Sequence, residues 1–205
     1  QIYTHSQEIR KRCGYLPGSF SAYGNMSGAD FLDFAASLRK TKPRLQNSLI
    51  DRFQLSQGDL AKKIKHLSLG MLQKLGIIQA FFHEPDLLIL DEPTSGLDPL
   101  MQEEFYQLLR EIQVKGKTIF FSSHNLPEVE KVCHRIAIIR EGELVALETL
   151  EGLKKKKLKR LRFTLSHSVP DLELPGASLV VQKNLSYEFL VEGDIQTLLQ
   201  RLSTL

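Results

Sequence analysis

Leu87-Leu88-Ile89-Leu90-Asp91-Glu92-Pro93 decides how the rest of the chain is read. Four aliphatic residues without polar alternation form the pattern of a strand buried on both faces of a parallel sheet. Such a strand delivers its last residues to the carboxyl edge of the sheet, where α/β proteins bind ligands. Successive strand residues point to opposite sides, so Asp91 and Glu92 can take different tasks. Pro93 biases Glu92 away from the helical region, toward an extended conformation. The competing reading of this segment alone is a buried strand that ends in a solvated acidic turn.

The motifs downstream favour the ligand-edge reading. Thr94-Ser95-Gly96-Leu97-Asp98-Pro99 is a tight loop in which Asp98 can N-cap the next helix, with Pro99 at its first position. That helix carries Met101, Phe105, Leu108, Leu109 and Ile112 on one face and stops at Gly116. Lys117 to Ser122 is a second buried strand, and Ser122-Ser123-His124 stands at its carboxyl end. A short helix then runs through Glu128, Val129 and Val132, followed by strands at His134–Arg140 and Glu143–Leu147 around a Glu141-Gly142 turn.

Upstream, the stretch 27–66 reads as helical. Ser27 and Asp30 have capping-box spacing, and Phe31, Phe34, Ala35 and Leu38 form an apolar stripe. A second helix is expected from Arg44 to Phe53. Ahead of these, Cys13-Gly14-Tyr15-Leu16 is a brief strand broken by Pro17-Gly18, with Phe20 and Tyr23 in the following loop. Between 66 and 83, Ser68 and Gly70 open a helix that is apolar nearly all round and should therefore be buried. A helix start presents unpaired N–H groups and the positive end of a dipole, which suits a phosphate, although such a start is an ordinary cap in most proteins.

Length and composition set the outer limits. The 205 residues suffice for one domain with a small appendage, and 42% hydrophobic with 25% charged residues is ordinary for a globular protein. A net charge of +3 does not demand nucleic acid, and no apolar run approaches the roughly 20 residues that span a bilayer. No signal peptide opens the sequence. Cys13 and Cys133 have no metal-ligand spacing and read as reduced, mostly buried thiols. After Leu150 the character changes: residues 154–162 hold seven Lys or Arg and no acid. Three short strand-like runs follow (Leu161–Leu165, Ser178–Gln182, Tyr187–Val191), then an amphipathic helix with Ile195, Leu198, Leu199 and Leu202.

Taken in order, these motifs resemble the nucleotide-binding domain of an ABC ATPase. Leu67-Ser68-Leu69-Gly70-Met71 is similar to the ABC signature, and Leu87–Pro93 to the Walker B strand with its catalytic glutamate. Ser95-Gly96-Leu97-Asp98 resembles the D-loop, Ser123-His124 the switch-histidine loop, and Gly14–Gly18 the Q-loop region. Within the family, the Gly-Tyr-Leu-Pro-Gly and Ser-x-Gly-Met patterns resemble bacterial exporter ATPases related to daunorubicin-resistance and sodium-extrusion systems. The resemblance implies a P-loop NTPase-type α/β fold: a partial ABC ATPase domain over 1–150 and a small α+β accessory domain over 151–205. The first divides into a helical subdomain at about 20–83 and a core at 84–150. It implies ATP and Mg²⁺ as cofactors, with Asp91 holding the metal through water and Glu92 orienting the attacking water. His124 would sense the γ-phosphate. Ser68 and Gly70 would meet ATP held by a second copy, and Asp98 would communicate between the two sites of the dimer. A separate transmembrane permease would keep the subunit at the cytoplasmic face of the membrane, docked on the helical stretch 20–66 with Phe20 and Tyr23 near its entry, with no nucleic acid involved.

Three departures bear on these expectations. No Gly-x-x-x-x-Gly-Lys-[Ser/Thr] occurs in the sequence, so the loop that cradles phosphates is not among these residues and the chain reads as truncated at the N-terminus. A strand is expected to be missing between the Walker B and switch-histidine strands, leaving an exposed gap or edge open to association. Gly18 stands where many members carry glutamine, and Leu69 replaces the first signature glycine. The alternatives are an ABC ATPase acting on ribosomes or nucleic acid, with 154–162 as the contact, and a non-catalytic scaffold.

Overall fold

The computed structural model describes residues 5–40, 42–156, 158–166 and 177–192, together with positions 169, 172, 174 and 198. The chain divides into two compact units, residues 1–132 and 133–205.

The first unit is built on a parallel three-stranded sheet of order β1-β2-β3, comprising β1 (Cys13–Leu16), β2 (Leu87–Asp91) and β3 (Thr118–Ser122). β2 pairs with β3 without interruption, from Leu87 opposite Thr118 to Asp91 opposite Ser122. The gap expected between these strands therefore does not exist. Two five-residue apolar strands of equal length ladder directly, and the connection between them, α6 (Pro99–Val114), is the helical crossover that a parallel pair requires.

The sheet is not buried evenly. Leu16, Leu88 and Leu90 are buried to 1% exposure or less, whereas Tyr15, Ile89 and Phe120, aligned in register across the three strands, are open on the other face. The expectation that β2 is buried on both faces thus holds for one face only. The covered face is packed by α5 (Leu69–Phe81), which lies so close to β1 that a Cβ on Gly14 would stand 2.1 Å from the Ala80 carbonyl oxygen. Only a glycine admits a helix backbone at that distance.

The helical part consists of α1 (Ser6–Arg12), α2 (Gly28–Arg39), α3 (Gln46–Arg52) and α4 (Gln57–Ala61), with a 3₁₀ turn at Ile64–His66. The Ser27–Asp30 capping box forms as expected, and Ser56–Asp59 repeats it at α4. The apolar stripe of α2 is rotated relative to the expected one. Leu32 is fully buried beside Phe31 and Ala35, and Leu38 is 68% exposed. Phe20 turns inward, edge-on to Phe31 at 5.7 Å and against Gly76 of α5, while Tyr23 stays exposed beside Phe34. α7 (Leu126–Val132) closes the unit.

The second unit opens with the antiparallel hairpin β4 (Arg135–Arg140) and β5 (Glu143–Thr149). Its two-residue turn, Glu141-Gly142, has positive φ at both positions, as the twist of a hairpin prefers. From sequence these strands belonged to the stretch 84–150. α8 (Leu150–Lys156) leads into an antiparallel sheet of order β6-β8-β7, built from β6 (Leu158–Thr164), β7 (Ala177–Lys183) and β8 (Ser186–Glu192). The three strand-like runs are therefore present, each slightly longer than expected. Tyr187, Phe189, Val191, Leu172, Leu174 and Leu198 form this unit's core, with Phe163 stacked on both Tyr187 and Phe189. Apart from buried Leu198, the terminal helix falls outside the described residues.

Candidate active site

Asp91 closes β2, and Glu92 turns away from it with φ of 45°. The extended conformation expected from Pro93 is therefore not adopted. The left-handed turn is one that few non-glycine residues take, and such positions persist only where neighbouring contacts hold them. Two contacts do so here. The Glu92 backbone N–H donates to Ser122 Oγ at 3.1 Å, and buried Gln73 of α5 donates through Nε2 to the Pro93 carbonyl at 2.8 Å.

The same Ser122 hydroxyl donates to Asp91 Oδ1, and the Gly18 N–H donates to Oδ2 at 3.2 Å. Asp91 is thus oriented from both sides by β3 and by the loop after β1. The Asp91–Ser122 register across the β2–β3 ladder is what brings that hydroxyl into reach.

His124 follows β3 and faces Glu92. Its backbone N–H and its Nδ1 lie 3.0 and 2.9 Å from the same Glu92 oxygen, Oε1. The imidazole is 87% exposed while Glu92 is 31% exposed, so the ring stands at the rim and the carboxylate deeper. The hydrogen bond to Glu92, reinforced by its charge, raises the His124 pKa above the ordinary value of 6.5. Asp91, Glu92 and His124 therefore form one cluster.

Ser68, Gly70 and Asp98 lie in a neighbouring cluster. Ser68 is the N-cap of α5 and accepts from the Met71 N–H at 3.2 Å. A Cβ on Gly70 would stand 2.7 Å from the Gly96 carbonyl oxygen, so the start of α5 and the loop before α6 are packed backbone to backbone. Leu69, at the altered signature position, contacts Gly96 yet remains 67% exposed. Asp98 N-caps α6, accepting from the Met101 N–H at 3.0 Å. Gln73 is the link between the clusters, since it belongs to α5 and binds the segment carrying Glu92.

Ser122, Gln73, Thr94 and Glu128 were not singled out from sequence as site residues. Gln73 left one legible trace, an amide within a helix that is apolar nearly all round. Ser122 left a weaker one, a hydroxyl at the end of a strand that the sequence presented as buried and that the structure leaves without a buried residue.

The donor set around Asp91 suits a hard divalent cation held through water. Its carboxylate is fixed by two donors yet remains an oxygen ligand at an open edge, as Mg²⁺ sites with retained hydration require. Among the described residues no group of three or more His, Cys, Asp or Glu makes an all-protein metal cage. No described helix is long and apolar enough to cross a membrane.

Comparison with known proteins extends this geometry. Residues 29–129 match the family described as "AAA domain, putative AbiEii toxin, Type IV TA system". The chain is 42% identical to an ABC transporter ATP-binding protein of Nostoc sp., over 72% of this chain and 45% of that protein. It is 35% identical to the bacitracin transport ATP-binding protein BcrA of Bacillus licheniformis, over 80% of this chain and 54% of that protein. A solved ATP-binding subunit of an ABC transporter superposes with a TM-score of 0.69 at 29% identity, covering 75% of this chain and 65% of that one. The chain spans about half the length of the curated relatives it matches.

Proposed function

The chain belongs to the ABC ATPase family, and on that premise we propose that the whole protein is the ATP-hydrolysing motor of a bacterial exporter. In this reading it works as a head-to-tail dimer whose ATP sites lie between copies, and it drives a separate permease at the cytoplasmic face of the membrane. Residues 1–150 contribute the ATPase part and 151–205 an accessory domain.

The observation that carries the reading is the double contact of His124 on one oxygen of Glu92, beside an Asp91 clamped by Ser122 and Gly18. Both His124 contacts use Oε1, and Oε2 is the oxygen we assign to the attacking water. Glu92 orients that water and takes its proton. His124 holds Glu92 through Nδ1, which leaves Nε2 to donate to the γ-phosphate. Asp91 is the residue that would hold Mg²⁺, and the metal when bound would neutralise charge on the phosphates. Ser68 and the Gly70 N–H, at the start of α5, serve the ATP of the partner copy, where aligned backbone N–H groups favour an anion. Asp98 lies one helix start away, two residues past the Gly96 that packs on Gly70, and we assign to it the relation between the two sites.

The test is ATP hydrolysis by the full-length protein. Glu92→Gln keeps the size and loses the base, and we expect kcat to fall at least 100-fold with ATP binding retained, in line with general-base contributions of about 10²–10⁴. A Glu92→Gln protein that turns over at the wild-type rate removes Glu92 from the chemistry.

A further inference from the structure

Glu128 of α7 gathers donors from three residues. Its Oε2 accepts from Thr94 Oγ1 at 2.9 Å and from Ser123 Oγ at 3.1 Å, and its Oε1 accepts from Asn125 Nδ2 at 3.1 Å. The Tyr106 hydroxyl of α6 is near this carboxylate, and burial, with the charges of Glu128 and Glu103 behind it, pushes its pKa up to about 12. Ser123 and Asn125 are the two residues that flank His124. Thr94 is 5% exposed and stands two residues after Glu92. One carboxylate therefore fastens both shoulders of the His124 loop to the segment that carries Glu92. Asn125 adds a second brace, its N–H donating to Ser123 Oγ at 3.0 Å. His124 itself is 87% exposed and has little packing to hold it.

From this arrangement we propose that Glu128 is a positioning residue, which sets His124 against Glu92 by tying Ser123, Asn125 and Thr94 to one carboxylate. It touches no reacting atom and acts only through His124 and Glu92. Hydrogen bonds to a charged acceptor are the strong ones, and several converging on one carboxylate leave the loop little freedom. The proposal rests on the ATPase reading for its kinetic consequence but not for its geometric content.

The test therefore has two arms on the full-length protein. In the first, the His124 ring is titrated by NMR in wild type, Glu128→Gln and Glu128→Ala. Glutamine keeps acceptor oxygen for Thr94 and Ser123, and the Asn125 amide can turn to meet its NH₂ group, so the tether survives without the charge. The hydrogen bond and charge of Glu92 raise His124 most, and the Glu128 charge adds the smallest share. We therefore expect His124 to titrate above 6.5 in wild type and to remain raised, by slightly less, in Glu128→Gln. In Glu128→Ala it returns to the ordinary value. A His124 that stays raised in Glu128→Ala, or that drops equally in both variants, overturns the proposal. In the second arm, Glu128→Ala is expected to lower kcat at least tenfold with KM for ATP changed less than threefold. In a His124→Ala background it should add less than a further twofold, because a residue acting through His124 has nothing left to position. Fully additive losses overturn the proposal and indicate a general structural role. A wild type that hydrolyses no ATP refutes the ATPase reading, and the NMR arm then decides Glu128 alone.

Discussion

Replacing Gly18 by alanine perturbs the metal ligand we assign without removing it. A Cβ on Gly18 would stand 2.7 Å from Asp91 Oδ2 and 3.1 Å from Asp91 Cγ, where ordinary contact begins at 3.4 Å. The carboxylate must retreat by about 0.7 Å, the difference between the first and last of those distances. It is not free to do so, because Ser122 Oγ holds Oδ1 and the Gly18 N–H holds Oδ2. Losing one hydrogen bond to a charged acceptor costs roughly 1.5–3 kcal/mol, which is roughly a 10- to 150-fold change in an equilibrium constant. A Mg²⁺ site tolerates little displacement, since the ion demands near-ideal octahedral geometry. We therefore expect the half-saturating Mg²⁺ concentration for ATP hydrolysis by full-length Gly18→Ala to rise about 10- to 100-fold, the lower part of that energetic range. The assay is steady-state phosphate release against Mg²⁺ at saturating ATP, with thermal melting by circular dichroism as the control for folding. Gly18→Gln meets the same contact at its Cβ, so it too is expected to weaken Mg²⁺ dependence rather than supply a ligand. An unchanged Mg²⁺ midpoint in a folded Gly18→Ala protein refutes the assignment of Asp91 as the metal-holding carboxylate.

Other consequences follow from single contacts. Gln73→Leu leaves the buried Pro93 carbonyl without its donor, and should cost about 1–3 kcal/mol, read as a lower urea midpoint at unchanged slope. A wild-type midpoint would mean that the Gln73 bond is dispensable. Burial, with Arg39 beside it, holds the His83 imidazole down to about 4, so the folded state resists its protonation. That contribution is intact above 6.5 and is lost as pH falls toward 4, by on the order of 3 kcal/mol. Urea titrations of wild type against His83→Gln over that window should show a flatter pH dependence in the variant; parallel curves would exclude His83 as the source. The 205 residues alone hold no phosphate-cradling Gly-x-x-x-x-Gly-Lys-[Ser/Thr] motif, and we expect them to bind MgATP too weakly for a stoichiometric calorimetric transition. A tight one-to-one isotherm would contradict this.

Much of the site was legible because its residues stand in short local patterns. The Asp91-Glu92 pair after four aliphatics, the Ser-x-Gly helix start and Ser123-His124 each depend on a strand end or a helix cap, which sequence neighbours specify. The Ser27–Asp30 box and the Asp98–Pro99 helix start formed for the same reason. Reading failed where the answer depended on a distant partner. Pro93 pointed to an extended Glu92, but Ser122 and Gln73 hold it in a left-handed turn. Periodicity placed Leu38 in the stripe of α2, but the helix is rotated so that Leu32 is inside. A missing strand was expected to leave β2 and β3 apart, but they pair directly.

By itself the sequence determined the chemical inventory: two carboxylates at a strand end, a histidine at the next, and a Ser-x-Gly helix start. Tertiary structure alone decided which of these act together. The Asp91–Ser122 register puts a hydroxyl between the Asp91 carboxylate and the Glu92 backbone N–H, and Glu128 ties both neighbours of His124 to Thr94. Such contacts join residues some thirty positions apart in the chain. Register and helix rotation are set by how whole surfaces pack, and no local pattern encodes them.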